Sequence, residues 1–415
     1  MRRPRRVTVV TSGHLSTCPR MLKAADALAA AGHSVRVVAT NHEPWAAVAD
    51  ADVRSRRQWP VSVVNYRRGD PGNMYWRSGI RHRAARRLVQ TMDAARLPLR
   101  VAAHAFGRVH SELVESIVEQ PTDLVYGGTV GALAAVAEAA SRLGVPYGLD
   151  LEDFHSGEDH GSAAALTCQL AARVEGAVLP PAAFLTTSSA DIAKAYRANY
   201  GVEPVVIHNT FPLPRRPPDF GRGAAGVLRL YWFSQTIAAG RGLEETIKAI
   251  AVARITATLT LRGQPQDGYL ATLGALAAEC GARVTIRQEP PASPDAMVDL
   301  ARGHDVGLSI EQPLSQNRQL CLPNKTFTYI LAGLAVAISD LPGQHALGVD
   351  LAPGGALVPP TDVAALAAVL SGWAEDPAAL ACAREAAWHA ANRRWHWEHA
   401  HDRGRLQDVV RRAVA

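Results

Sequence analysis

The sequence predicts an α/β protein built from two doubly wound, Rossmann-like domains. The chain has 415 residues, and a single core rarely grows beyond about 250–300 residues. Short runs of β-branched residues alternate with alanine- and leucine-rich segments of helical length, as in βα units around a parallel sheet. A proline- and glycine-rich stretch at 211–226 interrupts this series and has the composition of a linker.

The linker divides the predicted strands into two series. The first is predicted at 7–11, 34–40, 61–66, 122–128, 146–152, 183–189 and 204–209. The second is predicted at 228–234, 256–263, 284–289, 305–311, 334–340 and 355–360. We therefore predict an N-terminal Rossmann-like domain at 1–210 and a C-terminal one at 227–394. The last segment, 395–415, is predicted as a helix that crosses back to pack towards the N-terminal domain.

The composition excludes several classes of protein. It is 48% hydrophobic and 20% charged, without an apolar run of the roughly 18–20 residues that a membrane span needs. The five cysteines are scattered and lack CxxC spacing, so neither a disulfide framework nor a zinc site is indicated. These features predict a cytoplasmic, globular protein.

The positive charge of the chain permits an anionic partner. The formal net charge is +6, and the segment 76–88, "WRSGIRHRAARRL", carries five arginines in a helical pattern. This pattern is typical of a solvated helix face, or of a helix that binds a membrane surface or nucleic acid. Charge runs are most often solvated, and aromatic residues are sparse here. We therefore expect no nucleic-acid partner and no membrane contact.

Loops that follow strands are the places to search for chemistry, because ligands of doubly wound sheets bind at the carboxyl ends of the strands. Two such domains in tandem predict a central cleft. In the second domain Gly240 and Gly242 flank Arg241 directly before a predicted helix. Free N–H groups at a helix start, together with a guanidinium, favour an anion site. The alternative is an exposed arginine that caps Glu244 or Glu245.

A lysine marks a second helix start. Only four of the 44 basic residues are lysines, and Lys325 lies in the first turn of a helix predicted from about Asn324. A cation there opposes the favourable placement of acids at helix starts. We interpret Lys325 as a ligand, with Arg241, of a phosphate group; the alternative is a surface lysine. Alanine at either position should then lower turnover with little loss of stability.

In the first domain, polar residues follow two predicted strands. Gly13 and His14 follow the first strand, and Arg20 comes soon after them. An acidic run follows a later strand, where crowding of carboxylates raises the pKa of one of them. Asp153 or His155 in this run is the candidate for proton transfer with a substrate. The alternatives are a helix cap for His14, a structural role for Arg20 and a solvated acidic loop.

The motifs "GRGLEETIKAI", "HDVGLSIE" and "LPNKTFTYILAGLAVAISD", in this order, resemble the donor half of glycosyltransferases of family 4. These are retaining enzymes with the two-domain GT-B fold. "YGLDLEDFHSGE" and "LTTSSADIAKAYRANYGVEPVVIHN" resemble the family's acceptor domain, so the likeness spans nearly the whole chain. The resemblance implies a C-terminal domain that binds a nucleoside diphosphate (NDP) sugar, with no metal ion and no cofactor.

The resemblance also assigns roles to the candidate residues. It implies catalytic roles for Arg241 and Lys325 and donor contacts from Gly240, Gly242, Gln288, Glu289, Glu311, Asn324 and Thr328. Asp153 and His155 as catalytic groups, and Gly13, His14 and Arg20 as acceptor-side contacts, are instead predicted from their positions after strands.

Two positions depart from the family pattern. Thr236 stands where the family has an arginine, five residues before the lysine to which Arg241 corresponds. A diphosphate leaving group in a metal-free site needs on the order of two cations or several N–H donors, and we expect Lys325 to supply the missing charge. Thr328 stands where the family has a glutamate that binds the ribose, and Glu311 is the expected substitute.

Together these features predict a retaining glycosyltransferase that moves a sugar from an NDP-sugar to a small soluble acceptor, with a role in natural-product biosynthesis. A homodimer is left open. The alternatives are a GT-B NDP-sugar epimerase and a catalytically degenerate protein that binds nucleotide sugars. A nicotinamide dehydrogenase is disfavoured, because no glycine fingerprint with a downstream acid follows the first strand.

Overall fold

The structure, a computed structural model, describes residues 4–70, 72–92, 97–158, 162–220 and 226–415, without the side chains of 162–164. The chain forms two compact units. Unit 1 comprises Met1–His208, Ser315–Asn317 and Ala400–Ala415, and unit 2 comprises Asn209–Leu314 and Arg318–His399. Each unit has one parallel sheet with helices, which confirms the predicted α/β fold class.

Unit 1 contains a seven-stranded parallel sheet with the order β3-β2-β1-β4-β5-β6-β7. Its strands are β1 (Arg6–Thr11), β2 (Ser34–Asn41), β3 (Val61–Asn65), β4 (Leu124–Gly128), β5 (Tyr147–Leu151), β6 (Phe184–Thr187) and β7 (Val205–Val206). The central strands are buried almost throughout, as expected of a parallel sheet covered on both faces.

The helices of unit 1 follow the strands in βα order. They are α1 (Pro19–Ala30), α2 (Ala47–Ser55), α3 (Met74–Gln90), α4 (Leu99–Phe106), α5 (His110–Val118), α6 (Leu133–Leu143), α7 (Ser162–Val178), α8 (Ala190–Tyr200) and α17 (Arg405–Ala413). Local sequence sets their ends. Ser189 Oγ accepts the Ile192 N–H at 3.1 Å and so caps the start of α8, and Gly201 ends that helix with φ 66°.

Unit 2 contains a six-stranded parallel sheet with the order β10-β9-β8-β11-β12-β13. Its strands are β8 (Leu228–Ile237), β9 (Thr256–Pro265), β10 (Arg283–Glu289), β11 (Val306–Ser309), β12 (Ala335–Ser339) and β13 (Gly355–Val358). Its helices are α9 (Leu243–Ala253), α10 (Tyr269–Glu279), α11 (Met297–Ala301), α12 (Gln316–Leu320), α13 (Asn324–Leu331), α14 (Pro342–Leu351), α15 (Val363–Glu375) and α16 (Pro377–Arg393). The first two residues of α12 belong to unit 1.

The strand order reverses once in each sheet, between β1 and β4 in unit 1 and between β8 and β11 in unit 2. Loops that leave neighbouring strands at such a reversal diverge to opposite faces, which opens a crevice at the carboxyl edge. Each unit therefore offers one position where polar loop residues can meet a ligand.

Some boundaries differ from those predicted. Strand β8 continues to Ile237 rather than ending near Ser234, with an irregular register between Phe233 and Thr236. Residues 395–399, predicted with the C-terminal helix, belong to unit 2. Residues 221–225 of the predicted linker lie outside the described residues.

Within the described part of the chain, no single helix is long and apolar enough to cross a membrane. The consecutive helices α15 and α16 reach that length and composition only as a pair, with a bend of 107° between them.

Candidate functional site

A buried carboxylate gathers three cations in unit 2. Glu311 lies just after β11, and its carboxylate accepts hydrogen bonds from Lys325 Nζ and from Arg318 Nη1, the latter at 3.0 Å. Arg241 Nη1 lies 3.9 Å from Glu311 Oε2. The Glu311 N–H donates to Ser339 Oγ at 2.8 Å, which fixes the backbone at this point. We call Arg241, Glu311, Arg318 and Lys325 the Glu311 cluster.

The pKa values of both Glu311 and Lys325 are lowered within the cluster. Burial alone would raise the pKa of Glu311, but the charges of Lys325, Arg241 and Arg318 hold it below its usual value. Burial lowers the pKa of Lys325, while Glu311 opposes that shift. Lys325 Nζ also lies 5.0 Å from the ring centroid of Trp232, at cation–π distance.

The three cations differ in their access to solvent. The side chains of Arg241 and Arg318 are 31% and 18% exposed, whereas that of Lys325 is 7% exposed. The two arginines are thus the members of the cluster that a ligand can reach directly. Lys325 is almost enclosed by the protein and therefore contributes through its charge rather than by direct contact with a ligand.

Two glycines bring Arg241 to this position. Gly240 and Gly242 have φ angles of 73° and 76°, a region that side chains rarely adopt. A Cβ on Gly242 would lie 2.5 Å from Ile310 Cγ2 and 2.6 Å from the Ile310 carbonyl oxygen. Only glycine therefore lets the loop before α9 pack against Ile310, next to Glu311. The sequence predicted that these glycines allow a ligand to approach the backbone. The structure adds a second reason for glycine at 242, which is the close packing of the loop against Ile310.

The other predicted donor residues are more dispersed. Thr328 is fully buried in α13, and its Oγ1 lies 3.4 Å from the Asn324 carbonyl oxygen, one helical turn earlier. Gln288 and Glu289 end β10, which is the edge strand, two strands away from β8. The Gln288 amide donates to the Gly263 carbonyl oxygen at 3.1 Å. Four predicted donor residues are therefore not members of the Glu311 cluster: Gln288, Glu289, Asn324 and Thr328.

Sequence reasoning missed Arg318. It lies in the polar stretch before α13, without a glycine motif or a helix start to single it out. The short helix α12 turns the chain there, so that Arg318 points back to Glu311, seven residues earlier. Thr236, where the family has an arginine, is exposed near the end of β8. Arg318 thus supplies a cation that the family pattern did not predict.

In unit 1, both ring nitrogens of His14 are engaged by the protein. His14 is buried, and its Nδ1 lies 3.2 Å from Asp50 Oδ2. Its Nε2 accepts the Glu43 N–H at 3.0 Å, which places the ring proton on Nδ1. The structure therefore gives His14 a role in shaping the loop after β1, which also contains Gly13, and no cap bond from its side chain.

Arg20 forms a buried ion pair rather than facing an acceptor. Its Nε and Nη2 donate to Asp150 at 2.7 and 2.6 Å, and its Nη1 donates to the Ile207 carbonyl oxygen at 2.6 Å. Burial with a bidentate carboxylate partner engages the guanidinium fully. These contacts favour the structural role that the sequence left as the alternative to an acceptor-side role for Arg20.

The loop after β5 holds Asp153 and His155. Asp153 Oδ1 accepts from Asn317 Nδ2 at 3.2 Å, and Asn317 Oδ1 accepts the Phe154 N–H at 2.7 Å. His155 is 5% exposed, and its Nε2 has no hydrogen-bond partner among the described residues. A buried, unused imidazole nitrogen is available for a substrate hydroxyl. Asp159, in the same acidic run, lies outside the described residues.

Another member of the acidic run has the perturbed ionisation. Burial raises the pKa of Glu152 to about 7, with Arg20 opposing and Asp153 adding to the shift. Burial, together with the charge of Arg20, lowers the pKa of Lys23 to about 7. The sequence predicted that crowding of carboxylates would raise one pKa here; the raised pKa is that of Glu152, and its main cause is burial, with Asp153 and Asp150 adding to it.

Glu152→Gln should raise the free energy of unfolding at pH 8 but not at pH 4. A carboxyl with a higher pKa when folded costs stability progressively as pH rises from its unfolded value, 4.5, to its folded value, about 7. Glutamine removes that cost, so we expect a gain of roughly 1–3 kcal/mol at pH 8. Urea unfolding at both pH values measures it, with the exposed Glu119→Gln as control. An equal effect at the two pH values would contradict the assignment.

A threonine marks the reversal of strand order in unit 1. Thr129, directly after β4, has φ 75°, a conformation that costs energy for any residue with a side chain. Its Oγ1 accepts the Ser12 N–H at 2.9 Å, which ties the loop after β4 to the loop after β1. No feature of the sequence indicates this strained turn.

Comparisons with known proteins place this geometry in context. Residues 19–210 match the family model described as "Glycosyl transferase 4-like domain". No curated protein sequence matches the chain significantly.

Several solved structures have a similar fold over the whole chain. HepE of Anabaena, in complex with UDP and glucose, is 16% identical, with 98% of each chain covered and a TM-score of 0.67. A glycosyltransferase of Rickettsia africae ESF-5 is 12% identical, with 99% of each chain covered and a TM-score of 0.64. WaaG, a glycosyltransferase involved in lipopolysaccharide biosynthesis, is 16% identical, with 93% of this chain and 95% of WaaG covered and a TM-score of 0.58. At these identities the likeness concerns the fold.

Proposed function

We propose that the protein is a retaining, metal-independent glycosyltransferase, because residues 19–210 match the glycosyl transferase 4-like model and the chain has the GT-B fold. It moves a sugar from an NDP-sugar, bound by unit 2, to a small soluble acceptor, bound by unit 1, in natural-product biosynthesis. The UDP complex of the similar HepE structure supports a nucleotide-sugar donor.

The Glu311 cluster is the observation that carries this proposal. It lies at the carboxyl ends of β8 and β11, where the strand order reverses and a crevice forms. Within it, three cations surround one carboxylate, so the cluster has a surplus of two positive charges. The diphosphate of a nucleotide sugar carries two negative charges, which match this surplus. Glu311 keeps the cations together while the donor is absent.

The cluster also fits the charge that develops during transfer. As the bond between the anomeric carbon and the phosphate oxygen breaks, the departing nucleoside diphosphate gains negative charge. Arg241 and Arg318 hold the phosphate oxygens, and Lys325 adds its charge through a buried environment in which electrostatic interactions are strong. Because these groups are already in place, little reorganisation is needed in the transition state.

On the acceptor side, the acceptor hydroxyl must lose its proton as it attacks the anomeric carbon. His155 Nε2 and Asp153 are the candidate groups, because both lie in the loop that follows the carboxyl end of β5. An imidazole nitrogen without a hydrogen-bond partner in the described residues suits this step. Glu152, with its pKa near 7, lies in the same loop.

Donor binding and transfer test this function. The protein should be stabilised by one of UDP, GDP, ADP or dTDP, since a ligand at 100 times its dissociation constant adds about 2.7 kcal/mol. The matching NDP-sugar with an acceptor should yield a product whose anomeric configuration, read by NMR, equals that of the donor, also in the presence of a chelator. Conversion of the donor alone into another NDP-sugar would instead identify an epimerase. Binding without turnover would identify a degenerate protein.

Arg318→Ala should lower kcat/KM by about tenfold or more, because one of two directly accessible cations is lost. Restoring the family arginine, as in Thr236→Arg/Arg318→Ala, should recover part of that loss. A purely structural role for Arg318 would show as a lower melting temperature that Thr236→Arg does not correct. Recovery of kcat/KM at unchanged melting temperature is the expected result, measured by initial rates and differential scanning calorimetry.

A further inference from the structure

Large hydrophobic side chains are exposed on one helix of unit 1. Nine such side chains are exposed among the described residues, and four of them lie on α3. Trp76 is 55%, Ile80 60% and Leu88 47% exposed, and Met74 lies at the start of the helix. Exposed apolar residues scattered singly need no explanation, but a group on one element indicates an interaction surface.

Arginines share this face of the helix. Arg83 and Arg87 are exposed, and the spacing of 76, 80, 83 and 87 places these positions on one side of α3. Arg77 is also exposed, beside this row. The sequence of α3, MYWRSGIRHRAARRLVQ, contains no aspartate or glutamate. We call Trp76, Ile80, Arg83 and Arg87 the α3 face; Leu88 lies about 120° around the helix from Trp76, outside this face.

The opposite side of α3 is held firmly to unit 1. Ser78 and Gly79 are buried, His82 Nδ1 donates to the His104 carbonyl oxygen at 2.8 Å, and Arg81 Nη2 donates to Glu112 Oε1 at 2.6 Å. The α3 face is therefore presented outward by a helix whose other side is fixed by hydrogen bonds and an ion pair.

We propose that the α3 face docks unit 1 on the surface of an anionic lipid bilayer. Tryptophan and aliphatic side chains enter the boundary between headgroups and acyl chains, while arginines meet the lipid phosphates; this combination defines an interfacial helix. Each arginine near an anionic surface strengthens binding severalfold. The sequence led us to expect no membrane contact, because the pattern alone does not reveal that Trp76 and Ile80 are exposed beside the arginines.

Two other partners fit the α3 face less well. A second copy of this chain in a symmetric contact would bring the same arginines against each other, and like charges oppose such pairing. A single-stranded nucleic acid would use aromatic side chains for stacking, but the other exposed apolar residue of the α3 face, Ile80, is aliphatic. Charge and composition together favour lipid.

Vesicle flotation with the full-length protein tests this inference. We expect binding to vesicles with about 30% phosphatidylglycerol but not to pure phosphatidylcholine, and weaker binding when salt rises from about 0.1 to 0.5 M. Trp76→Ser/Ile80→Ser and Arg83→Glu/Arg87→Glu should each lower the bound fraction by about tenfold or more. Melting temperatures that match the parent protein confirm that the variants are folded.

Matched controls lie elsewhere on the surface. Val252→Ser removes an exposed apolar side chain of α9, and Arg287→Glu/Arg412→Glu makes the same change in net charge at residues outside α3. Both should bind vesicles like the parent. Failure of the parent to bind anionic vesicles, or equal losses in the controls, would overturn the proposal. So would a dimer in sedimentation velocity, or RNA retention in a gel shift, that depends on Trp76 and Ile80 while vesicle binding does not.

Discussion

Arg241→Ala should lower kcat by about a hundredfold or more while the fold stays nearly as stable as before. The size follows from the loss of one cation that meets the charge of the departing diphosphate, which is worth about 3–4 kcal/mol at comparable sites. Stability should change little, because Arg241 is partly exposed and its guanidinium lies 3.9 Å from Glu311. Glu311 keeps its hydrogen bonds to Lys325 and Arg318 in the variant.

Initial rates at saturating NDP-sugar measure this effect, together with denaturant unfolding of the same preparation. Arg287→Ala, at an exposed position on β10, is the matched control and should retain full activity. Arg241→Lys should recover only part of the rate, because an ammonium cannot hold two phosphate oxygens as a guanidinium does. A kcat for Arg241→Ala equal to that of the parent would remove Arg241 from the mechanism.

Lys325→Met should lower the free energy of unfolding by about 3 kcal/mol, because it leaves Glu311 in a buried site without its most enclosed partner. The sequence alone led us to expect little loss of stability at this position. Its burial, with 7% of the side chain exposed, reverses that expectation. The charge that Lys325 supplies to the cluster and its effect on stability are thus inseparable in a single variant.

A second change separates them. In Lys325→Met/Glu311→Gln the buried carboxylate is gone, so part of the lost stability should return. Activity should stay low, because the cluster still lacks the ammonium group. Urea unfolding of the parent, both single variants and the double variant gives the coupling energy, with the exposed Lys248→Met as control. Additive losses would show that Lys325 and Glu311 do not stabilise each other.

The fold was predictable because its signals are local. Buried parallel strands form continuous β-branched runs between helical segments, and every strand of the structure overlaps one that the sequence predicts. Arg241 and Lys325 were identifiable for the same reason, since a glycine pair and a helix start are local patterns. The structure brings these two residues together at Glu311, and their role in binding a phosphate stays a prediction.

The pairings that decide side-chain roles are distant in sequence or depend on irregular backbone. Arg20 and Asp150 lie 130 residues apart, so no local pattern shows that their charges neutralise each other. Arg318 reaches Glu311 only because a short helix turns the chain back. Glu152 has a raised pKa because the folded chain buries it. These properties follow from tertiary packing, which a single sequence does not display.

The tight packing of Gly242 against Ile310 has a consequence for protein engineering. A library that randomises Gly242 to change donor preference would consist mainly of variants with a displaced Arg241, because every side chain larger than hydrogen collides with the Ile310 backbone. Diversity is better introduced at Gln312, which follows Glu311, already carries a side chain and donates to Glu245 at 2.8 Å. Selection for a new sugar nucleotide would then favour variants that bind the donor better, rather than variants that restore the conformation of the loop.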